Sequence, residues 1–385
     1  MTSKEMTNKS RLFLITGATG NIGARLTGDL FRNDPCVRVI LLVRGKDDYS
    51  AWSRVMGILK SVGCGNLPLD WQSRVIVLAG DISEKQLGFS GGRYEALARQ
   101  ITHIIHSAAA TSFIQSRQAA LLTNYVGTVN VMKLAQRCQK KGRLVCAGYV
   151  STAYVNRSGD KLIRETTLAH RSDFSNSYEF TKWKAERYVS SLMGTLPVMI
   201  FRPSIVMGDT VTGCTVAFNV VYIPIKQISE RPSCWLPGAA NTLLDVVPVN
   251  FVTASILQII RDSSNCGKSF HLVAGPSNST TCGGIIRAAQ KYLSSHGLAA
   301  GKVKFVPLSK LQRLSGKLPE DIRYTRQMMK MLSPYMSNNW TFDDTNLLDA
   351  LCQTDIKCPR PKSYFNKILD FSVLNDWGRK LRKTA

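Results

Sequence analysis

The sequence predicts an α/β fold, a doubly wound parallel sheet with a smaller, mainly helical C-terminal lobe. Two patterns predict the sheet. Near the N-terminus a short apolar strand runs straight into a glycine turn and a helix, and after it β-branched runs keep alternating with helical periodicity. The third observation is length, since 385 residues are enough for two lobes and a large buried core.

The first strand is read at residues 11–16 ("RLFLIT"), and "GATGNIG" follows at once with Gly17, Gly20 and Gly23 separated by two residues each. Residues 22–32 then place apolar side chains at helical spacing, and "NDP" ends the pattern. Strand, glycine turn and helix make a dinucleotide site. Glycines let the backbone approach a pyrophosphate, whose charge sits on the free amides of the helix N-terminus. A glycine triplet alone is weak, but here it lies in the context the chemistry needs.

The second strand, 37–43 ("VRVILLV"), ends in Arg44. A carboxylate at that strand end would suit the ribose 2′-hydroxyl of NAD, whereas an arginine suits a 2′-phosphate, so Arg44 points to NADP. Residues 74–81 and 102–110 read as the third and fourth strands, and their near-continuous apolar runs fit a sheet covered on both faces. Strands at 143–152 and 196–204 follow, with helices at 119–140 and 178–193 between them.

Composition excludes several classes. Apolar residues make up 44% and charged residues 20%, ordinary for a globular protein. The polar tail and short apolar run at the start do not form a signal peptide, and no apolar stretch is long enough to span a bilayer. Ten cysteines are scattered without a Cys-x-x-Cys pair, and five histidines give no ligand cluster, so no metal is expected and a reducing cytoplasm is the expected location. The formal net charge of +24 is dispersed, with no motif that reads nucleic acid. It suits an acidic partner or a phosphorylated ligand, and it leaves peripheral membrane contact open.

Residues 177–188 read "SYEFTKWKAERY". Tyr178 and Lys182 are one helical turn apart and share a face. That spacing is common on ordinary helices. Here it falls just beyond the carboxyl end of the fifth strand, where such sheets bind ligands, with Ser151 and Thr152 at the strand end itself. A free phenol has a pKa of about 10, and an ammonium ~4 Å away favours the phenolate by about 4 kcal/mol at an effective dielectric near 20, so Lys182 is expected to bring Tyr178 toward working pH. Thr152 would orient a carbonyl, Tyr178 would donate the proton and a reduced nicotinamide would deliver hydride.

Taken together, "TGATGNIG", "LLVRGKD" with Arg54 ten residues after Arg44, "GDISEKQLGFS", "HIIHSAAATSF", "NYVGTVNVMKLA", "YVSTAYV", "YEFTKWKAE" and "FRPSIVMGD" resemble the extended short-chain dehydrogenase/reductases. Among these the chain is most similar to the thioester reductases, which include fatty acyl-CoA reductases and the terminal reductase domains of carboxylic acid reductases and nonribosomal peptide synthetases. The resemblance runs from about residue 11 to 275.

It implies a Rossmann NADP-binding domain over 8–275, with a lid excursion at about 205–242, and a C-terminal helical substrate region over 276–385. The turn Gly17, Thr19, Gly20, Asn21, Ile22 and Gly23 would hold the pyrophosphate, and Arg44 with Arg54 would grip the 2′-phosphate. Asp81 and Ile82 would face the adenine, Ala108 and Ala109 would pass beneath the cofactor, and Ser204, Ile205 and Val206 would approach the nicotinamide amide. Thr152, Tyr178 and Lys182 are similar to the catalytic triad, with Tyr178 and Lys182 also touching the cofactor. Ser107 stands where the family often has Asn, and Ser151 is an alternative to Thr152.

The implied reaction is NADPH-dependent reduction of an acyl thioester, carried on CoA or an acyl carrier protein, to an aldehyde, with a second hydride as the route on to the alcohol. A related enzyme acting on a sugar nucleotide, sterol or flavonoid alcohol is the second reading, and a nucleotide-binding module without catalysis is the third. Intact Thr152, Tyr178 and Lys182 speak against the third. A basic patch at the mouth of the second lobe, fed by the 16 Lys and Arg of residues 301–385, is expected to steer an acidic carrier or CoA.

Overall fold

The computed structural model describes residues 11–61, 67–112, 115–156, 161–166, 168, 170, 173–307, 332, 333, 335–337 and 339–381. In its first half β1 (Leu12–Thr16), β2 (Arg38–Val43), β3 (Val75–Ala79), β4 (His103–His106) and β5 (Cys146–Val150) alternate with helices. These are α1 (Asn21–Asn33), α2 (Asp48–Ser61), α3 (Gly91–Ala98), α4 (Arg117–Leu121) and α5 (Gly127–Lys140). Beyond a two-residue strand β6 (Leu162–Ile163) come α6 (Ser177–Ser190) and β7 (Val198–Pro203).

Seven strands pair in parallel in the order β12-β7-β5-β4-β1-β2-β3, where β12 is Ser269–Leu272. The order reverses direction between β1 and β4, which opens a crevice at the carboxyl ends of those two strands. Each face of the sheet has its own core. Phe13 and Ile15 of β1 pack with Leu26 and Leu30 of α1 and Ile256 of a later helix, while Leu12 and Leu14 pack against Ile104, Val131 and Val189 on the other side. Alternate residues of one strand serve opposite layers, the signature of a sheet covered on both faces.

The remaining elements build the second lobe. They are β8 (Ile205–Met207), α7 (Tyr222–Glu230), β9 (Ser233–Pro237), β10 (Leu243–Leu244), β11 (Val246–Pro248), α8 (Val249–Ile259), β13 (Thr280–Thr281), α9 (Cys282–Ser295), β14 (Lys302–Val306), β15 (Thr341–Phe342), α10 (Thr345–Leu351) and α11 (Phe365–Leu374). Their core joins Tyr154 and Ile163 to Ile225, Leu236, Ile285, Phe342 and Ile368. Helices α8 and α10 are the exceptions and pack on the main sheet, where Val252, Ile256, Leu347 and Leu351 join its core and the Thr253 hydroxyl donates to Asp29 on α1 at 2.6 Å.

Several sequence readings are trimmed. The strand expected over 102–110 stops at His106, and the helix expected over 119–140 contains a π-helical segment, Leu122–Val126, between α4 and α5. The C-terminal region read as helices with loops also holds β13, β14 and β15, which pair with β10, β9 and β6. Strands this short exist because a distant partner completes them, and local periodicity carries no sign of them. The same holds for β12, the seventh strand of the sheet. Among the described residues no helix is long and apolar enough to cross a membrane.

Candidate active site

The glycine turn is built by contacts that only glycine allows. Gly17 has φ +78°, and a Cβ there would lie 2.6 Å from the backbone nitrogen of Ala108. A Cβ on Gly23 would lie 2.2 Å from the carbonyl oxygen of Gly17, so helix α1 starts directly against the strand end. Gly20 caps α1, whose first turn carries no acidic residue, and the free amides face the crevice with nothing to repel a phosphate. Asn21 points the other way, its Oδ1 accepting from Thr215 Oγ1 at 3.2 Å and from the Val216 amide at 3.3 Å. The excursion after β8 is thereby tied to the glycine turn, and an Arg25–Asp209 ion pair ties it again to α1.

At the end of β2, Arg44 and Arg54 are both exposed, and the Arg54 guanidinium donates to the Arg44 carbonyl. Neither makes an ion pair among the described residues, so two cations are left for an anionic group. Asp81 Oδ1 accepts from the Ser83 amide at 2.8 Å and the Ser83 hydroxyl at 2.7 Å, which fixes the turn that carries Ile82. Ser107, where the family often has Asn, donates its hydroxyl to the Thr16 carbonyl at 2.8 Å and so serves the sheet. Ala108 and Ala109 follow in the loop beside the glycine turn.

The residues expected to react lie at the end of β5 and on α6. Asn176 caps α6 by accepting from the Glu179 amide at 2.9 Å, which starts the helix where Tyr178 lies in its first turn. The Tyr178 phenol and the Thr152 hydroxyl share a hydrogen bond. One turn on, Lys182 is buried; its Nζ donates to the Val150 carbonyl at 2.6 Å and sits 4.2 Å from the centre of the Tyr149 ring. Across the crevice the Ser204 hydroxyl donates to the buried Asp245 carboxylate at 2.5 Å, and Ile205 and Val206 continue into β8.

Electrostatics here differ from the sequence expectation in one respect. Burial pushes the Tyr178 phenol up to about 12, against the hydrogen bond from Thr152. Burial also pulls the Lys182 ammonium down to about 7, with the Glu186 carboxylate opposing the fall. Desolvation is the largest cause, and the pull expected from Lys182 is not among the causes of the Tyr178 shift, so the phenol stays protonated at neutral pH. That is the form a proton donor requires.

Every residue singled out from the sequence lines one cavity of about 460 Å³. Ser151 and Thr152 both line it too. Sequence reasoning missed two contributors. Tyr335 also lines the cavity, packed edge-on against Tyr154 with ring centres 4.8 Å apart, and no local pattern in the sequence marks it as part of a site. Asn124, buried in the π-helical segment, donates to Thr181 Oγ1 at 2.9 Å and braces α6. Its motif "NYVGTVNVMKLA" was part of the resemblance, but nothing local distinguishes this Asn from a solvated one. Of the 16 basic residues expected to feed a patch on the second lobe, eight lie outside the described residues.

Comparison with known proteins fits this geometry. A family model described as male sterility protein, NAD-binding, matches residues 15–256. The nonribosomal peptide synthetase asaC of Aspergillus flavus is 30% identical over 279 residues, covering 69% of this chain and 26% of its own. A Drosophila melanogaster protein provisionally named as a fatty acyl-CoA reductase, CG8303, is 27% identical over 280 residues, covering 63% of this chain and 50% of its own. The chain therefore spans about a quarter of the length of the synthetase and half that of the insect protein. The crystal structure of the terminal R domain from the myxalamid PKS-NRPS biosynthetic pathway superposes with a TM-score of 0.81 at 26% identity, covering 97% of this chain and 93% of that one.

Proposed function

This chain belongs to the male sterility NAD-binding family, and from that premise we propose that it is an NADPH-dependent reductase of an acyl thioester, releasing an aldehyde and a thiol. One observation carries the reading: a protonated Tyr178, hydrogen-bonded to Thr152 and one turn from Lys182, shares a single cavity with the glycine turn. The close approaches at Gly17 and Gly23 fit a dinucleotide turn, since a side chain at either would run into the backbone of Ala108 or of Gly17 and force open the tight turn that a pyrophosphate needs. Arg44 and Arg54 favour NADP over NAD for the same reason that an unpaired guanidinium pair favours a phosphate.

When bound, the reduced nicotinamide supplies hydride. The chain's own groups do the rest. Thr152 holds the substrate carbonyl by its oxygen, and Tyr178 donates a proton to that oxygen as charge develops on it; the resulting hemithioacetal then collapses, the oxygen giving up its proton as C=O re-forms and the C–S bond breaking to release the protonated thiol. Lys182, one turn beyond Tyr178, would hold the nicotinamide ribose, and its positive charge would stabilise the phenolate left behind. Tyr335 and Tyr154 add aromatic wall to the same cavity, where they would pack against the substrate. The thioester would arrive on CoA or on a carrier protein, in the cytoplasm.

The test is NADPH oxidation with a panel of acyl-CoAs and acyl-pantetheines, UDP-sugars and ketosteroids. Oxidation with release of one thiol per NADPH is expected from the thioesters alone. Turnover of a UDP-sugar or ketosteroid in their place would transfer the chain to the second reading.

A further inference from the structure

Behind the reacting groups lies a fully buried ion pair that the chemistry above does not use. Arg202, on β7, and Glu186, on α6, are both completely buried and lie 2.7 Å apart at Nη2 and Oε1. The same carboxylate oxygen also accepts from Arg202 Nε at 2.9 Å. Arg202 spends its other donors on the Thr166 carbonyl at 3.1 Å, the Arg164 carbonyl at 3.4 Å and His271 Nε2 at 3.4 Å. The guanidinium is therefore saturated while the carboxylate is not: Glu186 Oε2 is buried with no hydrogen-bond partner.

An unsatisfied buried carboxylate oxygen is costly, and a buried ion pair is a poor way to gain stability. Glu186 stands one turn after Lys182 on the same face of α6, which is the spacing at which two side chains of a helix interact. We propose that Glu186, held in place by Arg202, is a positioning residue that keeps Lys182 charged in its buried seat. This rests on the reading of Lys182 as the group that serves the cofactor and the proton donor.

Other groups near Lys182 do not supply the charge. The Tyr149 ring on β5 offers only its face, and its phenol is held protonated by burial. His106 on β4 is held neutral by burial, its pKa down to about 3, and Tyr178 on α6 is protonated. Glu179, at the start of α6, faces Tyr178 and Tyr335. Arg202 on β7 carries a like charge, and Glu165 beyond it accepts from the His271 and Asn346 amides, each at 2.6 Å. Glu186 is the carboxylate that opposes the desolvation of Lys182.

The experiment is an NMR titration of the Lys182 side chain in the full protein with ¹³C-labelled lysine, assigned with Lys182→Met. Glu186→Gln is expected to lower the Lys182 midpoint by about one pH unit or more, the size of shift an adjacent opposite charge produces. Should that variant fail to fold, because Arg202 is left buried without its counter-charge, Glu186→Met/Arg202→Leu removes both charges together and is expected to lower the midpoint as well. NADPH affinity, followed by fluorescence across the neutral range, is expected to fall off at lower pH in either variant than in the wild type. An unchanged Lys182 midpoint in a folded variant overturns the proposal. A shifted midpoint with no NADPH binding in the wild type would leave the charge support standing and refute the cofactor reading.

Discussion

Asn124 holds Ala110 by both backbone groups: its Oδ1 accepts from the Ala110 amide at 2.7 Å, and its Nδ2 donates to the Ala110 carbonyl at 3.1 Å. A third bond to Thr181 joins that loop to α6, so one buried side chain ties the loop after β4 to the helix that carries Tyr178 and Lys182. Asn124→Ala leaves both Ala110 groups without their partner, and a loss of about 1–3 kcal/mol in unfolding free energy is expected from denaturant titration. Asn124→Asp should keep the contact to the amide and lose the one to the carbonyl, and so fall between the two.

Cofactor choice is read from the end of β2. Arg44→Asp replaces a cation that has no ion pair among the described residues with a carboxylate, so NADPH binding should weaken by a few kcal/mol while NADH binding changes little. Isothermal titration with both cofactors measures the split, and equal losses would remove the 2′-phosphate assignment.

Catalysis is read from Tyr178. Tyr178→Phe keeps the ring and deletes the proton, so NADPH should bind nearly as before while turnover falls by about 10² or more. Near-normal turnover would mean that another group donates.

The pH profile follows from the two shifts. Reduction needs a proton on Tyr178 and a charge on Lys182, and both are present at low pH. Tyr178 keeps its proton up to about 12, whereas Lys182 loses its charge near 7, so the alkaline limb belongs to Lys182 and activity falls as pH rises through the neutral range. Measuring kcat/KM against pH checks this, and a limb that appears only near the pKa of the phenol would contradict it.

The glycine turn offers a test by overpacking. Gly23→Ala places a methyl 2.2 Å from the Gly17 carbonyl oxygen, a backbone atom that cannot swing aside. Loss of NADPH binding and a destabilisation of about 1–3 kcal/mol are expected, the usual range for forced overpacking.

Much of this was legible in the sequence, because the sheet and its crevice rest on local signals. The strand, turn and helix of 11–33 are written in one continuous stretch, and the strands that follow are apolar enough to be recognised alone. The residues at their carboxyl ends, from Arg44 to Val206, inherit their positions from that alternation. What stayed hidden depends on partners far along the chain. Strand β12 pairs with β7 from some 70 residues away, β14 completes β9, and Tyr335 reaches the cavity from a segment whose composition reads as core. The pKa of Tyr178 was misjudged for a related reason: pairwise charge is visible in spacing, whereas burial is a property of the whole fold.

Asn21 has a consequence for anyone who would recombine this chain with its relatives. Its amide oxygen serves Thr215 and Val216, which lie in the same stretch as Ala217, Asn219 and Val220 on the cavity wall. Swapping residues 208–221 for the equivalent loop of another reductase, in order to transplant substrate preference, therefore also rewires the second residue past Thr19 in the nucleotide turn. A chimera that keeps Asn21 with a loop lacking both donors would inherit a loosened junction, and its losses would show first in cofactor retention. Loop and turn are better exchanged as a single cassette, with Arg25 and Asp209 included.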